Sequence, residues 1–223
     1  MKIAEIFYSI QGEGTLVGVP SVFVRTSGCN LRCTWCDTPY TSWNPEGAEM
    51  SNEAILDQVA AYPAKHVVIT GGEPMLFAPV VALTKEFKQL GQHVTIETAG
   101  TVYQPVVADL MSISPKLANS TPTGEWAERH EKARYRPEVL RRLIGEFEHQ
   151  LKFVIAAPGD LDEVRHIVDD LAVDRSKVVL MPEGVTPQAT RERGIWMAEI
   201  CKNEGFRYSP RLHVDLWGDR RGV

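Results

Sequence analysis

The sequence predicts an α/β protein in which parallel strands form a partial (β/α)6 barrel, preceded by a short N-terminal β extension. Short runs rich in valine and isoleucine alternate with amphipathic stretches along most of the 223 residues, which is typical of successive βαβ units. Most of these runs lack a polar alternation, as expected of parallel strands covered on both faces. About six such units are too few to close an eight-stranded barrel, so we expect an open or partial one.

The individual elements follow from local patterns along the chain. Strands are predicted at residues 21–26, 66–70, 93–98, 110–114, 150–156 and 177–181, with a further strand near 207–213. Amphipathic periodicity predicts helices at residues 52–62, 79–90, 161–171 and 187–204. Ser51, Asp160 and Thr186 are suited to cap helix N-termini, and Gly91 and Gly205 follow two of the helices as C-terminal caps.

Two segments fall outside this alternation. Residues 3–20 precede the first barrel strand, and the sequence QGEG at 11–14 is typical of a turn between short strands. Residues 119–149 form a long polar insertion between the fourth and fifth strands, with a helix predicted at 137–147. The length suits one domain, so we expect residues 1–223 to share one core.

The composition limits the partners and the compartment. The formal net charge of −5 leaves the chain without the basic surface that binds a phosphate backbone, so we expect no nucleic-acid partner. No apolar run of about eighteen residues occurs, so we expect no membrane span. Glu5 interrupts the apolar stretch that a signal peptide needs, so we expect a cytoplasmic protein.

Polar and glycine-rich segments follow most of the predicted strands. They lie at residues 28–29, 71–74, 97–98, 114–116 and 181–184. Because the carboxyl ends of parallel strands meet at one face of a barrel, we expect these segments to surround a single ligand site.

Three of the four cysteines, Cys29, Cys33 and Cys36, lie within eight residues. In a reducing compartment such a cluster is more often a metal or catalytic site than a set of disulfides. A zinc-stabilised loop needs a fourth ligand, for which Cys201 is the one candidate thiol, and its apolar helical surroundings favour a core position. An iron–sulfur cubane held by three cysteines leaves one iron open, which favours catalysis over scaffolding.

The Cys-x3-Cys-x2-Cys loop is followed, after the next strand, by Gly-Gly-Glu-Pro at residues 71–74. These two motifs in this order resemble the radical S-adenosylmethionine superfamily, over nearly the whole chain apart from residues 119–149. The resemblance implies a barrel of that type, in which Cys29, Cys33 and Cys36 bind a [4Fe–4S] cluster whose open iron chelates S-adenosylmethionine. One electron then cleaves the sulfonium to a 5′-deoxyadenosyl radical, which abstracts hydrogen from the substrate.

Within that superfamily, the sequence EIFYSIQGEG at residues 5–14, with GVP at 18–20, FVR at 23–25 and CDT at 36–38, is similar to the 7-carboxy-7-deazaguanine synthase family. This resemblance implies a Mg²⁺-dependent carbon–nitrogen lyase. Such an enzyme contracts the ring of 6-carboxy-5,6,7,8-tetrahydropterin with release of ammonia, on the route to queuosine. It also implies a homodimer.

The same resemblance assigns roles to individual residues. Substrate contacts are implied for Ile10, Gln11, Gly12, Arg25 and Thr70. Contacts to S-adenosylmethionine are implied for Gly72, Glu73, Ser114, Pro115, Lys116, Met181, Pro182, Glu183 and Gly184. Thr38 would bind Mg²⁺ through its hydroxyl, since this hard ion prefers oxygen ligands. Glu97 and His213 are the candidates for substrate contact or proton transfer, with His213 expected on the last strand.

Two regions have open interpretations. The insertion is basic in its middle, at Arg129, Lys132, Arg134, Arg136, Arg141 and Arg142. This surface is either a solvated helical face or a docking patch for an acidic, flavodoxin-type electron donor. In some relatives the final carboxylate reaches the active site, but ten residues follow His213 here, so we do not expect Val223 in that position.

Two other functions remain as alternatives. A glycyl-radical activating enzyme of the same superfamily would share the cysteine loop, but it would leave the N-terminal segment at residues 5–14 unexplained. A non-catalytic, zinc-stabilised binding protein would hold zinc tightly and contain no iron.

Overall fold

The computed structural model describes residues 1–223 as a single nine-stranded sheet with helices packed against it. The strands are β1 (Lys2–Ile10), β2 (Pro20–Thr26), β3 (Ala48–Glu49), β4 (His66–Gly71), β5 (His93–Thr98), β6 (Leu110–Ile113), β7 (His149–Ile155), β8 (Val178–Pro182) and β9 (Arg207–Tyr208). Their spatial order is β3-β1-β2-β4-β5-β6-β7-β8-β9. The two edge strands do not pair, so the sheet is an open, partial barrel, as predicted.

The sheet is parallel from β2 to β9 and antiparallel at its N-terminal edge. Each neighbour from β2 through β4, β5, β6, β7, β8 and β9 pairs in parallel. β1 runs antiparallel to β2, with Ile6 opposite Val24, and β3 runs antiparallel to β1. The short N-terminal β extension is therefore confirmed.

Eight helices connect or flank the strands. They are α1 (Pro39–Ser42), α2 (Asn52–Ala60), α3 (Val80–Gln89), α4 (Ala127–Arg134), α5 (Pro137–Glu146), α6 (Asp160–Asp170), α7 (Pro187–Glu204) and α8 (Leu212–Trp217). The Ser51 and Thr186 side chains cap α2 and α7 as predicted, and Gly205 ends α7 in a left-handed conformation. Asp160 is instead the first residue of α6, and its carboxylate accepts the backbone N–H groups of two residues before the helix.

The core explains why most strands are continuous apolar runs. A cluster of 34 buried apolar residues fills the space between sheet and helices. Ile69 and Ile96 from neighbouring strands are fully buried in it, together with Leu83 from α3 and Val164 from α6. Removing these side chains from water is the main stabilising term. The packed strands thus provide a rigid support for the loops at their carboxyl ends.

The last predicted strand is shorter than expected. β9 ends at Tyr208, and the Ser209 N–H makes the final contact with β8 by donating to the Leu180 carbonyl at 2.9 Å. Pro210 then follows, and because proline has no N–H it cannot continue the ladder. The chain turns into α8, so His213 lies on a helix and not on a strand.

The insertion at residues 119–149 contains α4 and α5, and α5 confirms the helix predicted at 137–147. Leu140 and Leu143 of α5 are buried in the core, which fixes the insertion against the barrel. None of the helices has both the length and the apolar character needed to cross a membrane.

Candidate active site

A cavity of about 540 Å³ lies at the carboxyl ends of the parallel strands. Most of the predicted site residues line it: Ile10, Gln11, Gly12, Arg25, Cys29, Cys33, Cys36, Thr38, Thr70, Gly72, Glu97, Ser114, Lys116, Met181 and His213. The fold thus brings these residues into one site, as expected from parallel strands that end at the same face. Their individual roles stay predictions.

The cysteine loop, defined as residues 29–36, connects β2 to α1 without helix or strand of its own. Gly28, just before the loop, donates its N–H to the Thr41 carbonyl of α1 at 2.8 Å, and its carbonyl accepts the Glu73 N–H after β4 at 2.9 Å. A Cβ at Gly72 would lie 2.2 Å from the Gly28 carbonyl oxygen. Glycine is therefore required at position 72 for the loop to approach the sheet this closely.

Two of the loop thiols, those of Cys29 and Cys33, lie in surroundings that favour their neutral form. Burial raises the pKa of Cys29 to about 12 and that of Cys33 to about 11. The Leu31 N–H donates to Cys29 Sγ at 3.4 Å, and Cys36 Sγ lies 3.3 Å from the Ser42 hydroxyl. Buried thiols of this kind act as thiolate ligands once the positive charge of a metal offsets the cost of burial.

The donor set fits an iron–sulfur cluster with an open position. The three loop cysteines line the cavity, while Cys201 lies in the apolar core with 4% exposure and does not line it. No group of three His, Cys, Asp or Glu side chains converges closely enough to hold one ion. In a cubane each cysteine binds a separate iron, so the thiols need not converge.

Glu97 is held in the cavity by two neutral donors. The Gln11 side-chain amide donates to one carboxylate oxygen at 3.1 Å, and the Thr70 hydroxyl donates to the other at 2.8 Å. Gln11 and Thr70 are both almost fully buried, so the carboxylate is oriented before any ligand arrives. An oriented carboxylate can accept hydrogen bonds from an amino or amide edge of a ligand.

Arg25 enters the cavity from β2 and is held from one side. Its Nε–H donates to the Glu5 carboxylate at 2.7 Å, and the Tyr40 hydroxyl donates to the same oxygen at 2.9 Å. Burial by itself would raise the pKa of Glu5, but the Arg25 charge and the hydrogen bonds outweigh it and lower the pKa. The two terminal nitrogens of Arg25 make no hydrogen bond within the chain, so they can bind a carboxylate in bidentate fashion.

A buried charge network, which the sequence did not predict, lies beside these groups. Glu13 pairs with Lys152 and, at 3.2 Å, with Arg211, and Arg211 also pairs with Asp37. Burial acts to raise the pKa of Glu13, but the two positive charges hold it well below its usual range. Burial likewise acts against the charge of Lys152, yet Glu13 raises its pKa. Both partners are therefore ionised inside the protein.

His213 reaches this network from α8. Its Nε2 lies 3.9 Å from Glu13 Oε1, and burial lowers its pKa even though the Glu13 charge acts in the opposite direction. A Cβ at Gly12 would lie 2.1 Å from Nδ1 of His213. The predicted contact residue Gly12 therefore also makes room for the imidazole.

Ser114, Lys116 and Thr38 line the wall near the cysteine loop. Lys116 Nζ donates to the carbonyl and hydroxyl oxygens of Ser114 at 2.7 and 2.9 Å. The Thr38 hydroxyl lies 3.8 Å from Cys36 Sγ and accepts from the Thr41 hydroxyl at 3.3 Å. These groups form a polar margin around the thiols.

Five predicted cofactor contacts do not line the cavity: Glu73, Pro115, Pro182, Glu183 and Gly184. Glu73 is fully buried, and its carboxylate accepts the Thr98 hydroxyl and the Ala99 N–H, each at 2.8 Å. It therefore shapes the cavity wall from behind. The Gly184 carbonyl accepts from Arg211 at 2.6 Å, which connects the segment after β8 to the charge network.

Val223 lines the cavity, contrary to the expectation from the length of the tail. Because α8 replaces the predicted strand and Gly218 ends it with a positive φ of 70°, the following residues turn back over the opening. Arg221 fixes them through ion pairs of 3.0 Å with Glu5 and with Glu46.

The basic residues of the insertion are mostly paired. Lys132, Arg134, Arg136, Arg141 and Arg142 form ion pairs with Glu128, Glu131, Glu163, Glu138, Asp170 and Glu146. Nearby carboxylates therefore cancel most of the positive charge that the sequence suggested. This favours the interpretation of a solvated helical face.

Sequence signals for the missed residues exist but are weak. Lys152 interrupts the apolar sequence of β7, and a lysine in a buried strand usually has a charged partner. Glu13 lies inside the segment at residues 5–14, where the sequence predicts only a turn. No local signal predicts that Arg211 or Asp37 would join them.

Comparisons with known proteins are consistent with this geometry. The model of the radical SAM superfamily matches residues 23–118. The 7-carboxy-7-deazaguanine synthase of Halobacterium salinarum is 46% identical over 98% of this chain and 91% of its own length. The synthase of Rhodopirellula baltica is 42% identical over 100% of this chain and 89% of its own. The crystal structure of QueE from Escherichia coli matches with a TM-score of 0.73 and 26% identity over 95% of this chain and 94% of that one.

Proposed function

The chain belongs to the 7-carboxy-7-deazaguanine synthase family of radical S-adenosylmethionine enzymes, and we propose that it converts 6-carboxy-5,6,7,8-tetrahydropterin into 7-carboxy-7-deazaguanine with release of ammonia. One observation carries the proposal. The three thiols of the cysteine loop line the same cavity as Arg25 and Glu97, so a cluster-bound cofactor and a small anionic substrate can meet there.

Cys29, Cys33 and Cys36 would hold the [4Fe–4S] cluster, which with S-adenosylmethionine supplies a 5′-deoxyadenosyl radical when bound. Lys116 and Ser114 offer a cation and a hydroxyl on the adjoining wall for the carboxylate or ribose of S-adenosylmethionine. Gly72 would let S-adenosylmethionine lie close to the backbone. Met181 would make apolar contact with it. The role proposed for Glu73 is indirect, through the backbone of Ala99.

The substrate would bind between Arg25 and Glu97. The free terminal nitrogens of Arg25 suit the substrate carboxylate, and the Glu97 carboxylate suits the donor edge of the pterin. The backbone of residues 10–12 lies alongside these groups. Because Gln11 and Thr70 already orient Glu97, little reorganisation accompanies binding.

His213 is the group we propose for proton transfer during the ring contraction. Its lowered pKa keeps the imidazole neutral near pH 7, so it can accept a proton. The Glu13 carboxylate, 3.9 Å from Nε2, would stabilise the resulting imidazolium.

We propose a Mg²⁺ requirement, with Thr38 as the protein ligand. Thr38 lines the cavity beside Cys36, and Mg²⁺ bound there would take its remaining oxygen ligands from water and substrate. Thr38→Val, which removes the hydroxyl, should raise the Mg²⁺ concentration needed for half-maximal activity, whereas Thr38→Ser should not. Equal Mg²⁺ dependence in both variants would remove Thr38 from this role.

The proposal also includes a role in queuosine biosynthesis, a homodimer, a cytoplasmic location and a flavodoxin-type electron donor. The family resemblance supports the first three. The paired charges around Arg141 and Arg142 give no support to donor docking on that face, so charge reversal there should leave flavodoxin-driven turnover unchanged.

The decisive experiment is anaerobic turnover by the iron- and sulfide-reconstituted protein with S-adenosylmethionine, Mg²⁺, a reductant and the carboxytetrahydropterin. We expect 7-carboxy-7-deazaguanine and ammonia in equal amounts, without stoichiometric 5′-deoxyadenosine, because loss of ammonia from the carboxytetrahydropterin is redox-neutral and the abstracted hydrogen is returned. We expect neither product with Cys36→Ala. Formation of 5′-deoxyadenosine without the deazaguanine would retain the radical chemistry but reject this substrate. Tightly held zinc without iron would reject both.

A further inference from the structure

Two residues of the insertion, Ser120 and His130, hold the backbone of the cysteine loop between its first and third cysteines. The Arg32 N–H donates to Nδ1 of His130 at 3.0 Å, and the Thr34 N–H donates to the Ser120 carbonyl at 2.9 Å. Ser120 and His130 are 0% and 1% exposed. Neither lines the cavity, so their contact with the loop is made from behind.

The hydrogen bonds fix the tautomer of His130. Because Nδ1 accepts the Arg32 N–H, it carries no proton, and Nε2–H therefore donates to the Ser120 hydroxyl oxygen 2.9 Å away. The Ser120 hydroxyl in turn donates to the Leu117 carbonyl at 2.7 Å. Each donor in this chain of hydrogen bonds thus has an acceptor, and the ring has a single orientation.

Side chains extend the same contact. The Trp35 indole N–H donates to the Asn119 carbonyl at 3.0 Å, and the Arg32 guanidinium lies 4.5 Å from the centre of the Trp126 ring. The cysteine loop has no regular secondary structure, so its backbone would otherwise lose conformational entropy when the thiols are fixed around a cluster. Contacts from a buried, preformed partner remove part of that cost in advance.

We propose that the insertion is a brace for the cysteine loop and that His130 is a positioning residue, acting through the Arg32 amide to hold the loop ready for its cluster. The brace accelerates cluster assembly and slows cluster loss. The inference rests on the proposed function only in assigning Cys29, Cys33 and Cys36 as cluster ligands.

Two substitutions separate the hydrogen bond from simple packing. His130→Asn keeps an acceptor near the position of Nδ1 but no donor at Nε2. His130→Gln keeps an amide near Nε2 and removes the acceptor for the loop. His166→Gln is a matched control, because His166 is exposed on α6.

The first measurement is amide hydrogen exchange of the apoprotein, which requires neither cluster nor activity. We expect the Arg32 amide to exchange about tenfold faster in His130→Gln than in the wild type, with a smaller change in His130→Asn. The second measurement is the decay of cluster absorbance after reconstitution, in the presence of an iron chelator. We expect about tenfold faster loss in His130→Gln, near wild-type loss in His130→Asn, and no change in His166→Gln.

Wild-type exchange and wild-type cluster loss in His130→Gln would overturn the proposal. Equal defects in His130→Asn and His130→Gln would show that the imidazole acts by packing alone, which also overturns it. If His130→Gln does not fold, Ser120→Ala should still raise both rates, because it releases the His130 ring. Slow exchange at the Arg32 amide of the wild type, together with no cluster binding, would reject Cys29, Cys33 and Cys36 as ligands. It would leave the ordering of the loop by His130 intact.

Discussion

The two parts of the cavity proposed to hold the cluster and the substrate, called here the cluster end and the substrate end, are held in place by different forces. At the cluster end, the cysteine loop (residues 29–36) is fixed by hydrogen bonds to its backbone from neighbouring segments. At the substrate end, Glu13 in a connecting segment forms ion pairs with Lys152 on β7 and with Arg211, which precedes α8. A cluster brings bonds that define its own geometry, so the loop needs only to be kept near the right shape. A substrate brings no such bonds, so its partners must be oriented beforehand.

This difference has an energetic consequence. Without metal, burial raises the pKa of the Cys29 and Cys33 thiols and favours their neutral form, so the cluster end can fold before it is loaded. The charges at the substrate end are nearly all buried and must remain paired, because an isolated buried charge is very unfavourable. We therefore expect substitutions at the cluster end to affect chiefly cofactor content, and substitutions at the substrate end to affect chiefly folding stability.

The largest effect is expected from Cys36→Ala. Loss of one of three ligands should abolish turnover and reduce bound iron to background, while the unfolding free energy of the apoprotein changes by less than about 1 kcal/mol. Iron analysis and the absorbance of the cluster measure this. Cys201→Ala is the matched control and should keep full iron. Normal iron content in Cys36→Ala would contradict the assigned ligand set.

Lys152→Met tests the other end by leaving Glu13 buried with one cation fewer. We expect a loss of about 3–5 kcal/mol in the free energy of unfolding, measured by urea denaturation. Removing one member of a buried ion pair leaves the other charge buried and unpaired. The double variant with Glu13→Gln should recover part of this loss. Lys202→Met, at a lysine with 68% side-chain exposure, should change stability by less than about 0.5 kcal/mol.

Acid should weaken the substrate end selectively. The pKa of Glu13 is lowered in the folded protein, so its contribution is complete above the pKa of the unfolded state, about 4.3. As the pH falls below that value towards the lower folded pKa, the contribution is lost. The free energy of unfolding should therefore decline less steeply between about pH 5 and pH 3 in Glu13→Gln than in the wild type. Parallel declines would show that Glu13 titrates normally.

Gly12→Ala tests how closely the substrate end is packed. A Cβ would lie 2.1 Å from His213 Nδ1, so we expect a loss of about 1–3 kcal/mol in unfolding free energy from overpacking. Thermal denaturation measures this. Adding His213→Ala removes the obstructing ring and should restore stability while activity stays low. No relief in the double variant would place the strain elsewhere.

The smallest effect is expected for Arg221→Ala, which releases the tail from Glu5 and Glu46. Arg221 is 44% exposed, as measured on its side chain, so each pair contributes less than about 1 kcal/mol. Limited proteolysis should cut the residues after Gly218 faster, with no change in iron content. A drop in stability as large as that of Lys152→Met would show that the tail belongs to the core of the substrate end.

Local sequence patterns predicted most of the fold. The strand at residues 93–98 was predicted with its observed bounds, and the helix at 161–171 differs from α6 by one residue at each end. Such elements are predictable because hydrophobic periodicity depends on neighbours a few residues apart. The strand at 207–213 failed because Pro210 ends the pairing and the sequence beyond it suits a short helix.

The sequence by itself determined the barrel and the family, and it predicts the cysteine ligands, because each depends on residue types in local patterns along the chain. Only the tertiary structure decided which charged side chains form ion pairs and which residues contact the cysteine loop. Glu13 pairs with Lys152 and Arg211 at separations of 139 and 198 residues, and His130 reaches Arg32 across 98 residues. The physical reason is that periodicity sets which face of an element is buried, whereas the partner of a buried polar group is chosen when distant elements pack and every such group must be satisfied.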